Sequence, residues 1–313
     1  MADKWSEAEM LPRFIHSWMK KQKDGLNGLD TGFPRLNRLT HGLGRGIYVL
    51  GGKPGCGKTT LAWQIAFQVA LRNEALVVLF SLDQGLDDLR VRLLSRQTGI
   101  ESELFYDGRL KGDDEALEVL KAALEENRDA LGRLCLKGPE HDLYRGTAEY
   151  QQGNYYYMGD NLYDLSDGKD GPPSLPAWLL MEIESMKKEA GTRDTLLVVD
   201  YVQKMYPLRK HGNDYERLNI AMDELRKLSE RIGGPVLVVS EINRENYESP
   251  GLDAFKNSGR IEYAADVACV LHERRRRDAL REMELRVLKN RMGDTGVIEF
   301  DFYPALARFE EVG

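Results

Sequence analysis

Cysteine is scarce in this chain: Cys56, Cys135 and Cys269 are the three in 313 residues, and no two form a CxxC pair. That excludes a disulfide framework and a thiolate metal cluster, and it fits a reducing cytosol. Long apolar runs are missing too. None approaches the ~20 residues a membrane-spanning helix requires, and the opening MADKWSEAEMLPRF lacks the uninterrupted apolar core of a signal peptide. The expected location is cytoplasmic, with no membrane partner. Nor is there an excess of positive charge. The 44 Lys and Arg stand against 51 Asp and Glu, a net of −7, so any nucleic-acid surface has to be local.

With 42% hydrophobic residues the chain can bury a substantial core. Apolar runs with strand character, IYVLGG (47–52), ALVVLFSL (75–82), TLLVVDYV (195–202) and PVLVVSEI (235–242), alternate with helical stretches. Strands apolar on both faces and separated by helices imply a parallel sheet covered by helices. DVACVLHERR, ELRVLKNR, GVIEFDFYP and LARFEE then follow with little room for helices between them, which predicts antiparallel additions at a sheet edge.

Residues 1–29 read as a helix and a linker. Met10, Phe14 and Trp18, with Leu11, Ile15 and Met19 beside them, make an apolar stripe at helical spacing. It can pack on its own domain or dock on a neighbouring subunit. Ser6 and Glu9 could form a capping box, but Pro12 favours a later start with proline in the first turn. Residues 138–176, with six tyrosines among Gly, Asp and Asn, break the alternation and predict a long surface loop inserted in the domain, with room for a short hairpin. Tyrosines can stack on unpaired bases, yet Arg145 and Lys169 are its only cations. The run Arg274–Arg277 reads either as a nucleic-acid patch or as a solvated turn at a strand end.

The strongest signal is GGKPGCGKT. Gly52, four residues, then Gly57, Lys58 and Thr59 fall between a strand and a helix. Glycines let the amides of such a loop converge on phosphate oxygens, and the following helix adds its positive end. Gly52, Gly55, Cys56, Gly57, Lys58, Thr59 and Thr60 are therefore the candidate ATP-binding residues, with Lys58 on the outer phosphates and the Thr59 hydroxyl on Mg²⁺. Asp200, after four apolar residues, is the candidate second metal ligand.

Together, TGFPRLNRLTHGL, GGKPGCGKTTLA, FSLDQGLDDLRVRLL, VVDYVQ, VVSEINRE, KNSGRIEYAADVACVLH and LKNRMGDTGVIEFDF resemble, in order, the ATPase domain of the DnaB-type replicative helicases. The resemblance covers most of residues 30–312 and implies a RecA-like P-loop NTPase core: a mainly parallel central sheet, helices on both faces and antiparallel strands at the C-terminal edge. It gives Asp83 the place of the family's water-activating glutamate and Glu241 that of a γ-phosphate-sensing glutamine. Lys289 and Arg291 match a basic pair that reaches the adjacent subunit's site, and Lys256, Asn257 and Gly259 match a loop that follows single-stranded DNA.

Two departures stand out. Aspartate at 83 is one methylene shorter than glutamate, and Glu241 puts a negative charge near phosphates. The implied protein is a Mg-ATP-dependent ring motor, hexameric, acting on single-stranded DNA and open to replication partner proteins. A slowly hydrolysing nucleotide switch that scaffolds a partner is the alternative. A recombinase-like filament is disfavoured by KNRMGDTG.

Overall fold

The computed structural model describes residues 7, 10–12, 14–16, 26–138, 151–152, 155–158, 161–164, 175–192, 194–205, 214–248, 250–251, 254–255 and 263–313. Strands, in chain order, are β1 (Gly46–Gly52), β2 (Leu76–Ser81), β3 (Leu134–Lys137), β4 (Gln151–Gln152), β5 (Tyr155–Met158), β6 (Asn161–Asp164), β7 (Thr195–Asp200), β8 (Pro235–Glu241), β9 (Val267–Arg276), β10 (Arg281–Asn290), β11 (Gly296–Tyr303) and β12 (Arg308–Glu311). Nine form one sheet in the order β12-β11-β10-β9-β1-β8-β7-β2-β3, while β4, β5 and β6 form a small antiparallel sheet within the tyrosine-rich stretch.

In the large sheet β9, β1, β8, β7, β2 and β3 run parallel, and β10, β11 and β12 add antiparallel strands at one edge. Alternate side chains of the central strands feed two separate cores. Tyr48, Leu50, Val77, Leu79 and Val198 pack with the helix Lys58–Asn73 on one face. On the other face Ile47, Val49, Val78, Phe80 and Val199 meet the helices Leu175–Ala190 and Asp214–Ile232. Burial on both faces is why these strands read as continuous apolar runs rather than alternating ones.

The chain differs from expectation in three places. β9, expected among the antiparallel additions, pairs parallel with β1, so the antiparallel edge starts one strand later. β3 went unforeseen: LCLK is four residues long and only half buried, too short for an alternation signal. Residue 7 is already helical, so the first helix does not wait for Pro12 to open it. The arginine run behaves as a solvated strand end: Arg274 pairs with Glu284 at 3.2 Å and Glu299 at 2.6 Å, Arg276 with Glu273 at 3.0 Å, and Arg277 with Glu282.

Long-range side-chain bonds lock the edge onto the helices. Gln64 exchanges both amide bonds with the Phe309 backbone, each at 2.8 Å. The Glu311 carboxylate accepts from Arg35 N at 3.0 Å and Leu36 N at 3.3 Å, placing an acid at the start of the helix Pro34–Thr40. Arg96 is the odd residue of the core. It follows Leu86, Leu89 and Leu93 on the buried stripe of the helix Leu86–Thr98, lies 5.3 Å from the Phe67 ring centroid, and its guanidinium nitrogens make no hydrogen bond among the described residues. Burial pushes it down to about 9. A desolvated, unbonded cation costs more than it returns. Arg96→Met is therefore expected to raise the urea midpoint, by about 1–3 kcal/mol in unfolding free energy, with an unchanged slope.

Candidate functional site

The candidate site lies at the C-terminal ends of the parallel strands, where open α/β sheets place their ligands. β1 ends at Gly52 and runs into the phosphate loop, and the helix Lys58–Asn73 begins directly after it. Gly57, the residue before that helix, has φ 99°, and a Cβ there would stand 3.0 Å from Phe309 Cζ and 3.2 Å from Phe302 Cε1. Both the backbone and the stacked Phe302–Phe309 pair, 4.1 Å between centroids, therefore require glycine. Lys58 folds back over the loop and donates to Gly52 O at 2.8 Å and Lys53 O at 2.9 Å. The lysine thus caps carbonyls of its own loop, and its cation stays beside that loop.

Beside the loop is a cavity of about 200 Å³ bounded by Gly55, Gly57, Lys58, Thr59, Thr60, Gln84, Arg92, Arg281 and Phe302. Its polar groups suit an anionic ligand. Arg281 donates to Gly55 O at 3.0 Å and sits 5.7 Å from the Phe302 ring centroid. Neither Arg92 nor Arg281 was foreseen. Arg92 borders the buried stripe, three residues past Leu89 and one before Leu93, and that spacing was the available signal. Its charge faces Tyr106, Asp200 and Asp88, and burial lowers its pKa.

Register aligns the strand-end acids. Ser81 pairs with Asp200 across β2 and β7, and Gly52 pairs with Glu241 across β1 and β8. Asp200 is 2% exposed, and its Oδ2 has no hydrogen-bond partner among the described residues. Burial raises its pKa; the Thr59 hydroxyl, Lys58 and Arg92 oppose this, and nearby Asp83 adds to it. A hydroxyl and a buried carboxylate with an orphaned oxygen, next to a phosphate loop, are the donor set a hydrated Mg²⁺ uses. The residues fit the ion.

Asp83 lies just past β2, half exposed, in an ion pair with Lys204. Glu241, exposed, ends β8. Lys289 and Arg291 are elsewhere. Arg291 N donates to Asp266 O at 2.9 Å, and Asp266 N in turn donates to Ile47 O at 2.8 Å. The pair thus stands beside the start of β1, five residue steps from Gly52, which at ~3.3 Å per residue is roughly 16 Å from the phosphate loop. The guanidinium of Arg291 bonds Asp266 Oδ1 at 3.2 Å and Tyr263 O at 2.8 Å, and Lys289 Nζ reaches Tyr263 O at 3.5 Å. Lys256, Asn257 and Gly259 lie outside the described residues.

A phosphate loop, a hydroxyl–carboxylate pair on the adjoining helix and strand, and a parallel sheet with an antiparallel edge together define a RecA-like P-loop nucleotide-binding domain. The DnaB-like helicase C terminal domain matches residues 28–131 and 173–311, and the chain belongs to that family. The match breaks off across most of the tyrosine-rich stretch. The replicative DNA helicase DnaB of Leifsonia xyli is 26% identical over 306 residues, covering 93% of this chain and 58% of that protein. The replicative DNA helicase DnaC of Bacillus subtilis is 23% identical over 301 residues, with the same coverage, 93% and 58%. The chain therefore spans under two thirds of the curated relatives it matches. Among solved structures, an ATPase domain aligns at TM-score 0.78 and 18% identity over 99% of this chain and 100% of its own. A DnaB-like replicative helicase, described with its interactions with primase, aligns at TM-score 0.75 and 17% identity over 99% and 68%. Among the described residues no helix is long and apolar enough to cross a membrane.

Proposed function

We propose that this chain is the ATP-hydrolysing domain of a DnaB-type ring motor that binds single-stranded DNA and couples Mg-ATP hydrolysis to translocation or unwinding. Residues 30–313 form the ATPase domain, with 138–176 inserted in it, and 1–29 form a linker helix and linker. The observation that carries the reading is the separation of the phosphate loop from Lys289 and Arg291 along the sheet. A protomer cannot bring its own basic pair to its own phosphates, so if Lys289 and Arg291 act on a nucleotide it is a neighbour's. Head-to-tail contacts of this kind close into a ring where the rotation between neighbours divides a full turn, and extend into a filament where it does not; a hexameric ring is the assembly this reading expects. Primase, named with one solved neighbour, is a candidate partner class.

In this reading Lys58 and the loop amides hold the outer phosphates. Thr59 and Asp200 would hold Mg²⁺, whose charge offsets that of the phosphate oxygens. Asp83 takes a proton from a water whose oxygen bonds to the γ-phosphorus; the bond to the bridging oxygen breaks, and ADP and phosphate leave. Lys289 and Arg291 of the next protomer stabilise the charge on the transferred group. Lys256, Asn257 and Gly259 contact the DNA backbone, where one or two cations per subunit suffice because the ring repeats them.

Measuring ATP turnover with and without single-stranded DNA, together with the assembly state in a non-hydrolysable ATP analogue, tests the motor. Stimulation by DNA with ring formation is expected. Tight ATP binding with no response to DNA identifies a scaffolding switch instead.

Glu241 shares the base function that a short Asp83 performs poorly. β7 alone separates β8 from β2, so the two acids flank the metal acid about 10 Å apart, at ~4.8 Å per strand. Glu241→Gln is expected to lower kcat about tenfold, less than the hundredfold or more that loss of a sole general base brings. Turnover equal to the parent's overturns the sharing.

A further inference from the structure

Between the two candidate acids runs a short 3-10 turn, Val202–Lys204, that leaves the end of β7 directly after Asp200. Val202 and Met205 anchor it in the core at 1% and 4% exposure. The two side chains between those anchors therefore project along the sheet end, one toward each neighbouring strand. Gln203 turns to β8: its Nε2 donates to Ser240 Oγ at 2.8 Å and Glu241 O at 3.4 Å, and its Oε1 accepts from Glu241 N at 3.5 Å. Lys204 turns to the other flank, past the Tyr201 ring whose centroid is 5.6 Å from its Nζ, and its ammonium pairs with the carboxylate of Asp83 beyond β2.

We propose that Lys204 is a positioning residue for ATP hydrolysis, holding the short carboxylate of Asp83 at the mouth of the site, with Gln203 fixing the same turn on β8. The proposal rests on the reading that Asp83 activates the water. An aspartate that ends one methylene short of the usual glutamate has to be held in a fixed place, because small misplacements of a reacting group are costly in rate. A cation set against Asp83 also offsets the negative charge that Asp200 and the phosphates place beside it. Asp200 ends β7 two residues before the turn that carries Gln203 and Lys204, so a short stretch of chain ties the metal acid to the acids on either side. Lys204 touches the acid rather than the reacting atoms.

Steady-state ATPase kinetics of the full chain test this with Lys204→Met, Lys204→Arg, Asp83→Asn and Asp83→Asn with Lys204→Met. Thermal melting and binding of a fluorescent ATP analogue report whether each variant is folded and binds. Expected for Lys204→Met is a kcat about tenfold lower with KM for ATP within about twofold, while Lys204→Arg keeps at least about half the parent kcat. In the Asp83→Asn background Lys204→Met should cost less than about twofold more, since nothing remains to be positioned. Three outcomes overturn the proposal and leave the reading of Asp83 standing: parent-like kcat in Lys204→Met when Asp83→Asn is slow, a rise in KM that matches the fall in kcat, or full additivity in the double variant. Parent-like turnover in Asp83→Asn overturns both.

Discussion

Arg291→Ala is expected to lower ATP turnover about a thousandfold, the lower end of what an arginine supplied by a neighbour contributes to phosphoryl transfer. Its cost to the fold should be small. Asp266 keeps its bonds from Ile47 N at 2.8 Å and from Arg226 at 3.1 Å when Arg291 is removed, so no buried acid is left unpartnered. What sets this variant apart is complementation. An Arg291→Ala protomer retains an intact phosphate loop, and a Lys58→Ala protomer retains an intact basic pair. When the two inactive proteins are mixed in equal amounts and assemble at random, about one interface in four joins an intact loop to an intact arginine, and about a quarter of the parent turnover should return. A mixture as inactive as its components, or an active Arg291→Ala protein, would show that the pair does not act between subunits.

Asp200→Asn should separate stability from activity. Turnover is expected to fall about a hundredfold or more, as the site loses the charged oxygen that would face Mg²⁺. The nucleotide-free fold should gain stability, because a charge that burial disfavours is removed. The sign follows from the direction of the pKa. Burial raises the folded value, so the protonated form favours folding: that stabilisation is complete below the ordinary carboxylate value of about 4, and it is lost as pH rises through the raised folded value. Without divalent cations the parent should thus lose stability as pH climbs across that window, and Asp200→Asn should lose less. Melting curves at several pH values, with and without Mg-ATP, check both halves. A variant that melts below the parent without Mg²⁺, or that gains as much from Mg-ATP, contradicts the assignment.

Much of this was legible in the sequence because two strong signals coincide. Apolar runs buried on both faces announce β1, β2, β7 and β8, and a glycine loop between strand and helix announces a phosphate site whatever surrounds it. The acid at the end of β7 follows from its strand. Less visible was anything that depends on register. That β9 runs parallel to β1 is decided by where the chain re-enters the sheet, and LCLK becomes a strand only because β2 offers it an open edge. Lys204 looks like a loop lysine until β7 is placed between β2 and β8, and Arg92 and Arg96 look like surface cations of a charged helix until its Leu86, Leu89 and Leu93 face is buried. The half-exposed position of Asp83 beside a cation likewise belongs to the assembled sheet end.

The paired bonds between Gln64 and Phe309 join residues 245 positions apart. Closing so wide a chain loop carries an entropic cost that short-range helix formation does not meet. The helix that opens at Lys58 can coil long before its far partner arrives, but the aromatic pair that backs Gly57 comes from β11 and β12. A chain made only as far as β10 therefore has the residues of a nucleotide site without the aromatic wall that backs Gly57.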